Sequence, residues 1–211
     1  MPLEYLGFVL GTSFASGLNL YATMAVAGLL QRFEIATLPP GLDVLAHPLV
    51  LGLALALFVV EFLADKIPWV DTGWDAIHTF IRPLAAGVLA FSAVGGVSEP
   101  WSIGAALLAG SVALTSHGAK ASTRAAANTS PEPVSNLLLS LAEDGVAIFL
   151  TWMAATHPLI TAAIVAVLLV LAVLLIRTFY GYLTRLRARI ASMLGGRHAA
   201  GNPSSGPLDE P

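Results

Sequence analysis

Cysteine is absent from the 211 residues, and charge is scarce: Asp, Glu, Lys and Arg together make up 11%. Without a thiol there is no disulfide, no thiolate metal ligand and no cysteine nucleophile. So few charges exclude the basic stripe of a nucleic-acid binder and the solvated composition of a disordered chain. Met1–Tyr5 carries Glu4 and no Lys or Arg, so the cationic start of a secretory signal is missing and the first apolar stretch is expected to be retained. Catalytic signatures are missing too. There is no His-Glu-x-x-His, no Gly-x-Ser-x-Gly, no Gly-x-x-x-x-Gly-Lys loop and no dinucleotide fingerprint. His117 and His157 have no nucleophile or metal partner at a recognisable spacing. No enzyme activity, cofactor or metal site is therefore expected.

What the chain has in abundance is apolar surface. Hydrophobic residues make up 56% and the mean hydropathy is +0.80. A soluble core of this length has no use for so much, because a small globule must still cover itself with polar groups. A bilayer is expected. Helical passes of about 20 residues are found near residues 6–30, 47–64, 80–97, 101–115, 134–155 and 158–176. The breaks hold turn chemistry such as Pro39-Pro40-Gly41, Gly95-Gly96 and Ser130-Pro131-Glu132-Pro133. The expected fold is an all-α polytopic bundle of about six passes. It forms one domain over residues 1–194, followed by a disordered cytoplasmic tail over 195–211 rich in Gly, Ser and Pro.

Orientation follows from Lys and Arg, which collect in cytoplasmic loops. Arg177, Arg185, Arg187, Arg189 and Arg197 put the C-terminus inside. Counting back through six passes brings Lys66, Lys120, Arg124 and the neighbourhood of Arg82 to the same side, leaving Arg32 outside. Both termini are then cytoplasmic, and a bacterial inner membrane is the expected location.

Polar groups interrupt this lipid-compatible pattern. The first pass holds Thr12, Ser13, Ser16, Gly17, Asn19 and Thr23. Ser-Gly-Leu-Asn at its middle reads either as a discontinuous helix lining a polar cavity or as close packing with Asn19 hydrogen-bonding a neighbouring helix. Glu61 and Asp65 stand four residues apart on one helical face. Ionisable groups at membrane depth usually face the bundle interior and count as functional candidates; alternatively, Glu61 pairs with an Arg while Asp65 and Lys66 anchor at the interface. Asp71, Asp75, Thr79 and Arg82 form a polar stripe opposite Trp74, Ile77 and Ile81, which marks either a lead-in to the third pass or a helix lying flat in the interface.

The fifth pass repeats this design. Sliding by 61 residues sets Asp71 against Glu132, Asp75 against Asn136, Thr79 against Ser140 and Arg82 against Glu143. This weak internal repeat points to a buried pair of opposite sign between Arg82 and Glu143 or Asp144. A carboxylate as deep as Asp144 must be paired, protonated or wet. Lys120 and Arg124 share one helical face and could contact an anionic lipid head group, or simply flank a pass on its cytoplasmic side.

The blocks Gly-Leu-Asn-Leu-Tyr21, Glu61-Phe-Leu-Ala-Asp-Lys-Ile-Pro-Trp-Val-Asp71, Trp74-Asp-Ala-Ile-His-Thr-Phe-Ile-Arg-Pro83 and Ser-Pro-Glu-Pro-Val-Ser-Asn136, with Leu-Ser-Leu-Ala-Glu-Asp144, resemble a bacterial membrane family, domain-of-unknown-function family 4126. The resemblance covers about residues 5–180 and implies a multi-pass membrane domain. No activity and no catalytic residue come with it.

The functional expectation is a bundle that moves a small solute or ion. Its polar cavity would open to the cytoplasm, lined by Asn19, Glu61, Asp65, Asp75, Arg82, Asn136, Ser140, Glu143 and Asp144. One of Glu61, Glu143 and Asp144 would take a coupling proton or cation. A second expectation is a non-transporting membrane protein that binds lipid head groups or a partner. A third is an enzyme acting on a lipid head group.

Overall fold

Asn19 divides the first apolar run into two helices, α1 over Leu3–Leu18 and α2 over Leu20–Arg32. The computed structural model describes residues 3–127 and 133–199, without the side chains of residues 68, 69, 133–136 and 193–199. Asn19 is extended, with φ −148° and ψ 104°, and its side-chain oxygen accepts from the Ala22 amide. The residue suits this position because that oxygen satisfies a helix-start N–H that would otherwise be orphaned in an apolar surrounding.

The two helices turn back on each other. Phe8 and Thr12 of α1 enclose a small void with Thr23, Met24 and Ala27 of α2. In one straight helix, Phe8 and Ala27 would stand about 28 Å apart at about 1.5 Å per residue. The run 6–30 is thus a folded-back hairpin whose tip lies at Asn19, and it does not make the single pass expected from its length. Both readings of Ser-Gly-Leu-Asn find support: the helix is discontinuous at Asn19, and the segment packs closely, with Gly17 against Ala113 and Ser116 and the Asn19 amide hydrogen-bonded to Asp144 of another helix.

A 3-10 turn, η1 (Pro40–Ala46), leads into α3 (Pro48–Ala64), followed by α4 (Pro68–Val94), α5 (Glu99–Ala127), α6 (Pro133–Thr156) and α7 (Pro158–Ala199). Four of these helices begin on proline, whose missing N–H costs nothing at a helix start. His47 precedes α3 and its ring accepts from the Leu49 amide, so its role is a cap. The described residues contain no strand.

Close approaches locate the helix ends. Gly7 lies against the Pro158 carbonyl, Gly28 against Leu45, and Gly41 against Ser92. The start of α1, the end of α2, η1, the end of α4 and the start of α7 therefore share one end of the bundle. From that end α3, α5 and α7 run away, and α4 and α6 return. Four helices are long and apolar enough to cross a membrane, or five when η1 and α3 are taken as one bent span. No sixth span is found among the described residues, where α1 and α2 start and finish at the same end. For the same reason Leu3 and the far end of α7 lie at opposite ends of the bundle, where the positive-inside count had put both termini together. The boundary expected at residue 194 falls inside α7, and residues 200–211 lie outside the described residues.

Charged side chains turn into the bundle, beside two buried apolar clusters, and large apolar side chains face outward. Leu49 and Phe80 are 76% and 73% exposed while Arg82 is fully buried. Along α4, Asp71, Asp75, His78 and Arg82 turn inward, and Ile77, Phe80, Ile81 and Leu84 turn outward. The lead-in is thus part of a continuous helix and does not lie flat. Helices α4 and α5 meet through Ala86, Ala90, Ala93, Ala105, Ala109 and Ala113, small residues that let backbones approach where no solvent drives association. At Gly17 a Cβ would strike the Ala113 carbonyl and the Ser116 hydroxyl. Glycine there lets the tip of α1 press against α5, in reach of the charges that α5 carries.

Candidate functional site: a charge cluster around the helix break

Six carboxyl groups and three cations are buried together near the hairpin tip: Glu61, Asp65, Asp71, Asp75, Glu143 and Asp144 with Arg82, Lys120 and Arg124. The shortest contacts form three pairs. Arg82 reaches Glu61 at 2.5 Å, Lys120 reaches Asp65 at 2.9 Å, and Arg124 reaches Glu143 at 2.7 Å. Longer contacts knit the pairs together: Arg124 to Asp65 at 3.1 Å, Arg82 to Asp75 at 3.4 Å, Arg124 to Asp71 at 3.5 Å and Lys120 to Glu143 at 3.8 Å. Charges are tolerated at such depth only when paired and hydrogen-bonded.

The cations also serve the broken helix. The last carbonyls of an α-helix have no partner within it and carry the negative end of its dipole. At the end of α1 the Gly17 carbonyl accepts from Arg82 at 3.1 Å, and the Leu18 carbonyl accepts from Lys120 at 3.2 Å. One guanidinium and one ammonium thus both cap α1 and neutralise carboxylates of α3 and the turn after it. Asp65 sits in that turn. Burial works against its charge, but Lys120, through charge and a hydrogen bond, then Arg124 and Arg82, outweigh it and hold the carboxyl below its ordinary range.

Two imidazoles extend the network without adding charge. Arg82 stands 2.5 Å from His117 Nδ1, and a guanidinium can only donate, so Nδ1 accepts. The His117 Nε2–H then donates to the Thr79 hydroxyl at 3.0 Å, and Thr79 donates to the Asp75 carbonyl. His78 donates from Nδ1 to the Trp74 carbonyl at 2.8 Å, stacks on the Trp74 ring, and accepts from Tyr21 at 3.1 Å. With both rings neutral, the cluster holds three more carboxyl groups than cations.

Asp144 stands apart from the pairs. Its Oδ1 accepts from Asn19 Nδ2 at 2.8 Å. The orientation of that amide is fixed, since its oxygen already caps α2. Each of the six carboxyl groups has one buried oxygen without a hydrogen-bond partner, and the Ser140 hydroxyl, one turn before Asp144 on α6, has none either. No three His, Asp or Glu side chains converge as metal ligands among the described residues.

The model for the family described as Domain of unknown function (DUF4126) matches residues 6–178. The chain belongs to this family. No curated protein and no solved structure matches it. The matched span runs from α1 into α7 and takes in every member of the cluster.

In this family member the stripes read from sequence do converge, with different partners. Asn19, Glu61, Asp65, Asp75, Arg82, Glu143 and Asp144 are brought together. Ser140 is fully buried beside them on α6, and the side chain of Asn136 lies outside the described residues. The pair expected between Arg82 and Glu143 or Asp144 does not form. Arg82 is taken by Glu61 and Asp75, and Glu143 by Arg124 and Lys120. Glu61 does pair with an Arg, the alternative weighed for it. Lys120 and Arg124 are not head-group contacts: they are 2% and 3% exposed, turned inward onto Asp65 and Glu143. The spacing of Lys120 and Arg124 marked one face of a helix, but nothing in it said whether that face met lipid or the core. Asp71, Thr79, His117, His78 and Tyr21 complete the cluster and were not among the expected site residues.

Proposed function

We propose that the protein moves a small solute or ion across the bilayer along a path centred on the break between α1 and α2. The surplus of three buried carboxyl groups at that break carries the proposal. Helices can be held together at least as well by apolar residues of similar volume, so nine ionisable groups are not needed to build this bundle. At membrane depth they are costly and mark ion or substrate pathways. Broken helices put free backbone groups and dipole ends beside such paths, and here Gly17, Leu18 and Asn19 supply them.

The cluster is closed in this structure. Its nine charged residues are 8% exposed or less, so passage requires the hairpin to shift against α5 and α6. The Arg-rich end of α7 would face the cytoplasm of a bacterial cell under the positive-inside rule.

Reconstitution onto solid-supported membranes tests the proposal. Pulses of small inorganic cations, amines and carboxylates, each with and without a pH step, should move charge for at least one class, and Arg82→Gln should abolish the signal. Silence across the panel, with no tracer exchange in liposomes, would favour the second reading of a non-transporting binder. One observation supports that reading. An apolar groove of about 820 Å³ between α4 and α5, floored by Gly87 and Gly110 and flanked by Phe80, Leu84 and Leu107, would accept a lipid chain or a partner's helix.

A further inference from the structure

Glu61, Asp65 and Glu143 each have a cation within 3 Å, and these three close contacts use all three buried cations. The surplus therefore falls on Asp71, Asp75 and Asp144. Asp75 still lies 3.4 Å from Arg82, and Asp71 3.5 Å from Arg124. Asp144 has no such neighbour: among the described residues no Lys, Arg or His nitrogen comes within 4.0 Å of it, and its one polar partner is the neutral amide of Asn19.

We infer that Asp144 holds a proton in this closed structure and, resting on the transport reading above, that it is where proton movement is coupled to solute movement. Oδ1 is engaged by Asn19, while Oδ2 is buried and without a partner. As a carboxylate, Oδ2 would be a bare charge near the middle of α6, about 18 Å by helical rise from Thr156. As a carboxylic acid the group is neutral, and its burial then leaves no bare charge; the Ser140 hydroxyl, one turn before it on α6, is likewise without a partner, and the two do not hydrogen-bond in this structure. A hard metal ion would need about six oxygens, and two free ones do not supply them.

The charged groups facing Asp144 leave this balance in place. Asp65 and Lys66 face it from the turn between α3 and α4 and Lys120 from α5, with Glu143 next to it in the chain; Asp65 and Lys120 are already paired with each other, and Lys66 is turned onto the Phe62 carbonyl and ring. On opening, the Oδ2–H bond breaks, the proton passes to entering water and the electron pair stays on the carboxylate. That charge must remain hydrated, so the site cannot close until a proton returns or a cationic solute takes its place.

Infrared spectroscopy of the full chain in liposomes at neutral pH reads this directly. The wild type should show a protonated-carboxyl C=O band with a component that Asp144→Asn removes and Asp75→Asn leaves. Asn is uncharged and can still accept from Asn19, so the Asp144→Asn variant should keep the wild-type unfolding midpoint, while Glu61→Gln, which strips a partner from Arg82, lowers it by several degrees. An unchanged carboxyl band in Asp144→Asn, or a loss of stability in that variant matching Glu61→Gln, would overturn the inference. Loss of the band component together with silence in the charge-movement panel would count against transport and leave the protonated Asp144 standing.

Discussion

Arg82 touches Glu61, Asp75, His117 and the Gly17 carbonyl from one guanidinium, and joins α3, α4, α5 and the tip of α1. A planar fork with several fixed donors can do this where a Lys cannot. Its removal leaves Glu61 buried with only the longer 3.9 Å contact to Lys120, and breaking such a buried pair costs about 3–5 kcal/mol. Arg82→Gln is therefore expected to lower stability by that order in detergent unfolding. The double variant with Glu61→Gln should regain part of the loss, because no uncompensated charge then remains. A cost within about 0.5 kcal/mol, the scale of changes at indifferent surface positions, would mean that Arg82 is not integral to the fold. Residue identities were the most legible level of this site. Apolar passes leave few places for polar side chains, so each one stood out. The partners were not legible, since spacing reports one helix at a time and says nothing of which face meets which. Arg82 was matched with Glu143 on an internal echo, and the fold gave it Glu61 instead.

At the scale of elements, the hairpin of α1 and α2 decides what the site can be. Its extended hinge residue, the amide cap on α2 and the two cations on the end of α1 all occur within three residues of chain. Gly17 makes the approach of this tip to α5 physically available, and Gly17→Ala should lower the unfolding midpoint and scatter the cluster. Gly52→Ala is the matching control. It lies mid-helix in α3 with nothing near its Cβ position, so the gain in helix propensity should leave it neutral or slightly more stable. Equal behaviour of the two variants would deny the tight packing of the tip. Ser-Gly-Leu-Asn did announce an interruption in the first run. The sequence carried no sign that the chain reverses there, because a broken helix that continues and one that folds back have the same local chemistry.

For the whole molecule, the reversal places Leu3 and the far end of α7 at opposite ends of the bundle. The positive-inside rule gave a consistent answer for six assumed passes, whereas the described residues hold four spans, or five with the bent pair. Three of the cations it counted, Arg82, Lys120 and Arg124, serve the core. The absence of cysteine makes a direct check simple. Single cysteines at Glu4 and Arg189 should react with a membrane-impermeant maleimide from opposite sides of sealed vesicles. Labelling of both from one side would restore a single pass through residues 6–30. All-α membrane character was legible from composition throughout. The outward Leu and Phe side chains and inward charges are the arrangement that a solvent without hydrogen bonds demands.

Passage through the break requires that water reach the buried charges at some stage of a cycle. Ser140→Cys, nearly isosteric and fully buried beside Asp144, places a reporter at that point without altering the charges, and Ala147→Cys, equally buried in an apolar cluster of the same helix, is the control. Labelling by a small, water-soluble thiol reagent in native membranes is predicted at residue 140 and not at 147, with the rate at 140 rising when Asp144 is also replaced by Asn. If both cysteines stay unlabelled over the same time, the cluster is a dry structural lock and nothing passes through it.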